Sequence, residues 1–248
     1  MEKTLVVIPT YNEKDNIEAM IRKVMSLSLP FDLLIIDDGS PDGTADIVKQ
    51  LQKEFSERLF LEQRSGKLGL GTAYIHGFKW ALKREYKFVC EMDCDFSHNP
   101  DDLIRLYNAC AVDGFDLAVG SRYIHGVTVI NWPIGRVLMS YFASKYVQTI
   151  TGMPVHDATA GFKCYSRKVL ETIGFENVKF VGYAFQIEMK FLTWKYGFKI
   201  KEVPIIFMDR TLGESKMTAG IFNEAVVGVA LMKIKSFFKS YDTAKTTV

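Results

Sequence analysis

At 248 residues, 48% hydrophobic and 13% aromatic, the chain carries enough apolar material for a complete α/β core, which excludes a disordered segment. Its formal net charge of +2 gives no global attraction to nucleic acid, so any recognition of anions has to be local. The four cysteines, Cys90, Cys94, Cys110 and Cys164, show no Cys-x-x-Cys spacing and indicate free thiols rather than disulfides or a zinc site.

The start, MEKTLVVIPT, holds a short apolar run and no signal-peptide architecture. Strand-like runs then follow at Leu5–Ile8, Leu33–Ile36, Leu59–Glu62, Phe88–Met92 and Leu117–Val119. Helical patterns over 14–28, 44–55, 70–84 and 101–112 separate them, which predicts βαβ units and a mainly parallel sheet. Asn99-Pro100-Asp101-Asp102 reads as a helix cap with proline and acids in the first turn. The second half is less regular. A loop over Tyr123–Ile134 precedes a helix from Arg136 to Thr151, a helix at Phe185–Lys195 and a strand at Ile200–Phe207. Thr211–Met217 is polar and reads as a mobile segment. From Thr218 to Phe238 the apolar spacing is helical, and residues 218–248 set four lysines against Glu224 and Asp242. That pattern suits an interfacial helix and equally a helix packed on the domain. The apolar stretch Ala225–Met232 falls well short of the about 20 residues needed to span a bilayer. A protein in the cytosol or on a membrane face is expected.

Chemistry concentrates at the predicted strand ends. Asp93-Cys94-Asp95 closes the run Lys87–Met92, placing two carboxylates one residue apart at the sheet edge where open α/β folds bind ligands. Such a pair can share one hard divalent cation with substrate phosphates. The first strand exits through Pro9-Thr10-Tyr11-Asn12-Glu13, where an aromatic and an acid can clamp a base and ribose; Asn12 as a helix cap with Glu13 in the first turn is the alternative. The second exits through Asp37-Asp38-Gly39-Ser40-Pro41-Asp42-Gly43-Thr44, either a tight turn or a site that sets Asp38 beside a nucleotide. Gly66-Lys67-Leu68-Gly69-Leu70-Gly71-Thr72 lacks Walker spacing, and Tyr74 stands where a dinucleotide fingerprint requires glycine or alanine, so it reads as a turn opening a helix. The histidines His76, His98, His125 and His156 form no ligand set and read as surface or packing residues, with His125 and His156 near the site.

Taken in order, these strand-end motifs continue into Gly120-Ser121-Arg122-Tyr123, Asn131-Trp132-Pro133 with Arg136 and Ser140, and Asp157-Ala158-Thr159-Ala160-Gly161-Phe162. Gly182-Tyr183-Ala184-Phe185-Gln186-Ile187-Glu188-Met189, Glu202-Val203-Pro204-Ile205, Arg210 and Gly213-Glu214-Ser215-Lys216-Met217 complete the series. From residue 4 to 217 it resembles the dolichol- and polyprenol-phosphate mannosyltransferases, inverting family-2 glycosyltransferases of the GT-A fold.

The resemblance implies an α/β GT-A domain over 1–217, with a mainly parallel sheet flanked by helices, and a C-terminal amphipathic helix within 218–248. It implies Mg²⁺ or Mn²⁺ on Asp95 and Asp93, with Ser97 where relatives often carry a further glutamine ligand. Pro9, Tyr11, Glu13, Asp38 and Cys94 fall in the sugar-nucleotide site, Cys94 without a catalytic role, and Arg210 and Lys216 close over the diphosphate. Arg122, Arg136 and Ser140 hold the acceptor's phosphate. Asp157 stands where hydroxyl-accepting relatives place a general base and is expected here to orient the sugar or an arginine, since a phosphate nucleophile needs no proton removed. The implied reaction is transfer of mannose from GDP-mannose to dolichyl or polyprenyl monophosphate with inversion. UDP-glucose or another sugar nucleotide as donor, polysaccharide extension, and a non-catalytic sugar-nucleotide-binding regulator are the alternatives. The implied setting is the cytoplasmic face of a membrane, with a membrane-anchoring partner and no nucleic acid.

Overall fold

The computed structural model describes residues 1–182, 184–210 and 219–241, with the side chains of 219–225 excepted. The first half runs β1 (Thr4–Thr10), α1 (Lys14–Met25), β2 (Asp32–Asp37), α2 (Thr44–Leu51), β3 (Leu59–Gln63), α3 (Leu70–Leu82), β4 (Phe88–Glu91) and α4 (Asp102–Ala111). The second half adds β5 (Leu117–Ser121), β6 (Val129–Ile130), α5 (Ile134–Thr151), β7 (Lys163–Ser166), α6 (Arg167–Ile173), α7 (Ala184–Lys195), β8 (Ile200–Pro204), β9 (Phe207–Met208) and α8 (Ala219–Ser236).

Unbroken apolar strands mark a sheet covered on both faces, and side-chain alternation divides them between two cores. Val6, Ile8, Leu33 and Ile35 pack with Ile17, Met20 and Ile21 of α1 and with Leu103 and Leu106 of α4. Leu5, Val7, Leu34 and Ile36 point the other way, onto Ala73, Tyr74 and Phe78 of α3 and Phe185 and Met189 of α7. Each such fully buried Leu, Ile, Val or Phe contributes roughly 1.5–3 kcal/mol. Gly77 allows the close seating of α3, because a Cβ there would meet Val7 Cγ1 at 2.5 Å.

The strand order is β3-β2-β1-β4-β7-β5-β8. All neighbours are parallel except β7, which runs antiparallel to both β4 and β5. Three expectations need correction. The strand predicted at Ile200–Phe207 is two strands: β8 leaves β5 at Pro204, and β9 pairs with β6 inside the predicted loop Tyr123–Ile134. Asn12 does not cap α1; it lies in the left-handed region at φ 55°, and Glu13 takes the N-cap position. The strand β7 and helix α6 have no counterpart among the predicted elements, for a reason taken up in the Discussion. The four thiols are free and buried, as expected.

One side of α8 packs on the domain. Val229 is buried with Val147 and Ile187, the Tyr146 hydroxyl donates to Val226 O at 2.9 Å, and Lys233 Nζ donates to Thr151 O at 2.8 Å. Its other side exposes Val227, Leu231 and Ile234, followed by Phe237 and Phe238. Among the described residues, no helix is long and apolar enough to cross a membrane.

Candidate active site

β1, β2 and β4 end side by side, and each exit turns through a residue of positive φ: Asn12 at 55°, Gly39 at 70° and Phe96 at 58°. Asparagine and glycine accept this conformation readily, whereas it is uncommon for an aromatic. The turn at Phe96 brings both the amide and the hydroxyl of Ser97 back onto Asp95 Oδ1, at 3.1 and 2.6 Å. Asp37 ties the other two exits together. Its carboxylate accepts from Thr10 Oγ1, Ser40 N and Ser40 Oγ, and Ser40 Oγ accepts the Asn12 amide. Above these turns opens a cavity of about 890 Å³, lined by residues from the sheet edge, α5, α7 and α8.

Pro9, Tyr11, Glu13, Asp38, Asp93, Cys94, Asp95, Ser97, Arg122, Arg136, Ser140 and Arg210 all line that cavity, so the sequence-predicted residues converge. Asp93 keeps 38% of its side-chain surface facing it and accepts from the Tyr74 hydroxyl at 3.2 Å. Burial, reinforced by Asp95, pushes the Asp93 carboxyl up. Burial works the same way on Asp95, but the Ser97 hydroxyl and Arg210 outweigh it and hold Asp95 below the usual carboxylate range. Arg210 Nη2 stands 3.2 Å from Asp95 Oδ2, so a cation already occupies the place beside this carboxylate. The two carboxylates and the Ser97 hydroxyl, all lining the cavity, are the oxygen donors that a hard cation such as Mg²⁺ or Mn²⁺ takes.

Asp38 departs from the simple picture of an acid waiting for a ribose. Arg64 grips it at both oxygens, Nε to Oδ1 at 2.6 Å and Nη2 to Oδ2 at 2.7 Å, with both side chains over nine-tenths buried. Arg64 Nη1 also donates to Thr72 Oγ1 at 2.8 Å, locking the Gly66–Thr72 turn to the edge of β2. That turn opens α3, as predicted, and sets Lys67 Nζ 5.5 Å above the Tyr11 ring. The Tyr11 and Lys67 side chains thus form a flat, cationic wall.

The opposite wall is basic. Arg122 is 5% exposed, and Nε and Nη2 both reach Asp157 at 2.7 Å; Nη2 also donates to Thr159 Oγ1 at 2.8 Å. Asp157 sits behind Arg122 with no exposed surface. Burial alone would raise its carboxyl, but Arg122 holds it below the usual range. Of the two roles expected for Asp157, the geometry is that of orienting an arginine. Arg136 Nη1 donates to Asp209 Oδ1 at 2.8 Å, and its guanidinium lies 4.1 Å above Trp132. Ser140 Oγ accepts the Tyr123 hydroxyl at 2.8 Å.

Beneath the floor lies a buried charged cluster that the motifs did not reveal. Lys163 Nζ is 3.2 Å from Glu91 Oε2 and donates to Gln186 Oε1, while Lys190 Nζ donates to Ala160 O at 2.6 Å. Glu91 and Lys163 face one another across the β4–β7 register. His98, read from sequence as surface or packing, is buried and lines the cavity. His156 is instead held by Glu202, with Nδ1 2.8 Å from Oε2. Arg64, Lys67, Trp132, Gln186 and Asp209 received no site role from the sequence. For Arg64 and Lys67 a signal exists: both follow β3 at the same sheet edge. Lys216 and Tyr183 lie outside the described residues.

A mostly parallel sheet with an acidic pair at its carboxyl edge and a basic wall opposite defines a GT-A-type glycosyltransferase fold. The family model for glycosyl transferase family 2 matches residues 5–174, and the chain belongs to that family. It is 43% identical over 229 residues to a polyprenol monophosphomannose synthase of Mycolicibacterium smegmatis, covering 92% of this chain and 86% of that one. It is 41% identical over 227 residues to an undecaprenyl-phosphate mannosyltransferase of Micrococcus luteus, covering 92% of each. Among solved structures, a mannosyltransferase from Pyrobaculum calidifontis in complex with GDP-Man and Mn²⁺ shares the fold. Its TM-score is 0.61 at 15% identity, over 96% of this chain and 65% of that one.

Proposed function

We propose that this protein transfers mannose from GDP-mannose to a polyprenyl or dolichyl monophosphate, with inversion at the anomeric carbon. The carrying observation is the continuity of one cavity. It joins the acidic pair to the arginines and then runs on as an apolar trench along Met139, Phe142, Ala143, Val147, Ile187, Val226 and Val229. A sugar nucleotide requires the first part, an anionic head the second and a prenyl chain the third. The 43% and 41% identical relatives, named for polyprenyl-phosphate mannosyl transfer, support the same reading.

Tyr11, Lys67, Pro9 and the Arg64-held Asp38 receive the nucleoside. Asp93, Asp95 and Ser97 hold Mg²⁺ or Mn²⁺, which when bound neutralises charge on the leaving diphosphate. Arg210 acts beside them as a second source of positive charge. Arg122 and Arg136 bind the acceptor phosphate, whose second pKa of about 6 leaves it mostly dianionic at neutral pH. No protein base is needed, which agrees with the burial and pairing of Asp157. Catalysis then rests on alignment of two anions and stabilisation of their charge.

The trench opens beside an apolar surface formed by Ile134, Leu138, Met139 and Phe142 of α5 and Val227, Leu231 and Ile234 of α8. This surface rests on the lipid bilayer that holds the acceptor, making the enzyme peripheral to the membrane, with α8 serving both as cavity wall and as interface element. The test is to incubate purified protein with Mn²⁺ or Mg²⁺, a polyprenyl phosphate, and radiolabelled GDP-mannose or UDP-glucose in separate reactions. Label reaching the organic phase from GDP-mannose alone is expected. Label from UDP-glucose alone overturns the donor, and no lipid product from either overturns the acceptor.

A further inference from the structure

His98 is a buried polar side chain in the cavity wall that the mechanism above leaves unused; it is 3% exposed. Its ring is fixed in place, stacked on Phe162 with centroids 4.9 Å apart and set edge-on to Phe207 at 5.5 Å. Nδ1 accepts the Asp93 backbone N–H at 3.2 Å. A ring nitrogen that accepts carries no proton, so the imidazole is neutral with its hydrogen on Nε2. The approach of Nδ1 to Asp93 Oδ2 at 3.9 Å is therefore a contact between two acceptors and not an ion pair. Nε2–H has no acceptor among the described residues and is not one of the side-chain atoms sealed from the surface, so it opens toward the cavity that His98 lines.

The position of the ring narrows what that acceptor is. Asp93 adjoins its Nδ1 side, and the Phe207 ring it leans on also carries the Arg122 guanidinium, 5.4 Å from its centroid. His98 thus lies between the acidic pair, which holds the donor diphosphate, and the arginine that holds the acceptor phosphate. The group passing between those two anions is the hexose. The adjoining floor is low: Gly161 has no side chain, and a Cβ there would reach His98 Cε1 only at 3.7 Å. An N–H donor opening onto that gap suits a sugar hydroxyl, whose oxygen accepts.

We propose that His98 Nε2–H donates to a hydroxyl of the transferred hexose and is a specificity-determining residue. This rests on the donor and acceptor assignment above. The test compares wild type, His98→Asn and His98→Gln with GDP-mannose and its monodeoxy forms, and measures GDP affinity in parallel. Asparagine retains an acceptor for the Asp93 amide and removes the Nε2 donor; glutamine places an amide donor near the Nε2 position. His98→Asn is expected to lower kcat/KM for GDP-mannose by about tenfold, the scale of one lost hydrogen bond, with GDP affinity unchanged. One monodeoxy donor should lose nothing further in that variant, and His98→Gln should recover part of the activity. Undiminished deoxy penalties at every position in His98→Asn, or a parallel fall in GDP affinity, overturn the proposal. Wild-type protein making no lipid product from GDP-mannose fails at the earlier step and overturns the underlying reading with it.

Discussion

Arg122 and Asp157 form a two-point ion pair, Nε to Oδ2 and Nη2 to Oδ1, each at 2.7 Å and each partner at least nine-tenths buried. The carboxylate also accepts the Arg122 backbone N–H at 2.9 Å and the Thr159 hydroxyl at 3.3 Å, so its lone pairs are committed. Glu202 fixes the turn that carries it, accepting the amides of His156 and Asp157 at 2.7 and 2.9 Å and the Ser121 hydroxyl at 2.7 Å. An acid so enclosed holds the arginine in one orientation.

Asp157→Asn leaves a buried guanidinium without its counter-charge, and loss of one partner of a buried pair costs roughly 3–5 kcal/mol. Because the folded-state carboxyl titrates below its ordinary value, the stabilisation is complete above the usual carboxylate range and disappears as pH falls through the lower folded value. Denaturant titrations at pH 7 should show the full gap between wild type and variant, and that gap should close only in strong acid. Turnover should fall with an unchanged pH–rate profile near neutrality. Loss in the variant of an acid limb, where protonation of a base would cost the wild type its activity, would restore the general-base role.

Arg136 is held less tightly, by Asp209 and the Trp132 face, with 28% of its side chain exposed. Arg136→Ala should therefore fold normally and raise KM for the lipid phosphate by about tenfold or more, the range for one charge-assisted hydrogen bond. GDP affinity should stay within about twofold of wild type, since the change lies on the acceptor side. Titration of the acceptor at saturating donor reads the effect, and an unchanged KM removes Arg136 from the acceptor site.

Asp95→Ala removes the carboxylate that Ser97 and Arg210 converge on. Turnover should drop by roughly 10²–10³, the scale for losing one electrostatic contact to developing charge. The dependence of residual activity on Mn²⁺ should flatten in the same assay. Retention of a wild-type metal dependence would move the metal site elsewhere.

The parallel half of the fold is legible because β1, β2 and β4 bury both faces and spell this out as apolar runs, and because the turns at their edge use Asp, Gly, Ser and Pro for physical reasons. β7 is not. Its sequence, Lys-Cys-Tyr-Ser, hides a charged residue inside the sheet, and Lys163 is acceptable there only because Glu91 stands opposite it on β4. That compensation lies 72 positions away in the chain and has no local signature. The same holds for Arg64 on Asp38 and His98 on Asp93: the acids were found as motifs, while the groups that orient them became visible only in three dimensions.

The exposed apolar surface makes a prediction that separates membrane contact from catalysis. Phe237 and Phe238, just beyond α8, are 72% and 89% exposed and do not line the cavity, so neither fills the core or touches the acceptor trench. Phe237→Asp with Phe238→Asp should fold with wild-type stability, since exposed substitutions stay within about 0.5 kcal/mol. It should bind GDP as before. Sedimentation with phospholipid vesicles should fall steeply, because each aromatic contributes buried area at the interface and each aspartate adds charge to be desolvated there. Activity with a polyprenyl phosphate embedded in vesicles should fall in parallel, whereas a short-chain acceptor in detergent should be used nearly as well as by wild type. Equal vesicle binding by variant and wild type would assign this surface to something other than a bilayer.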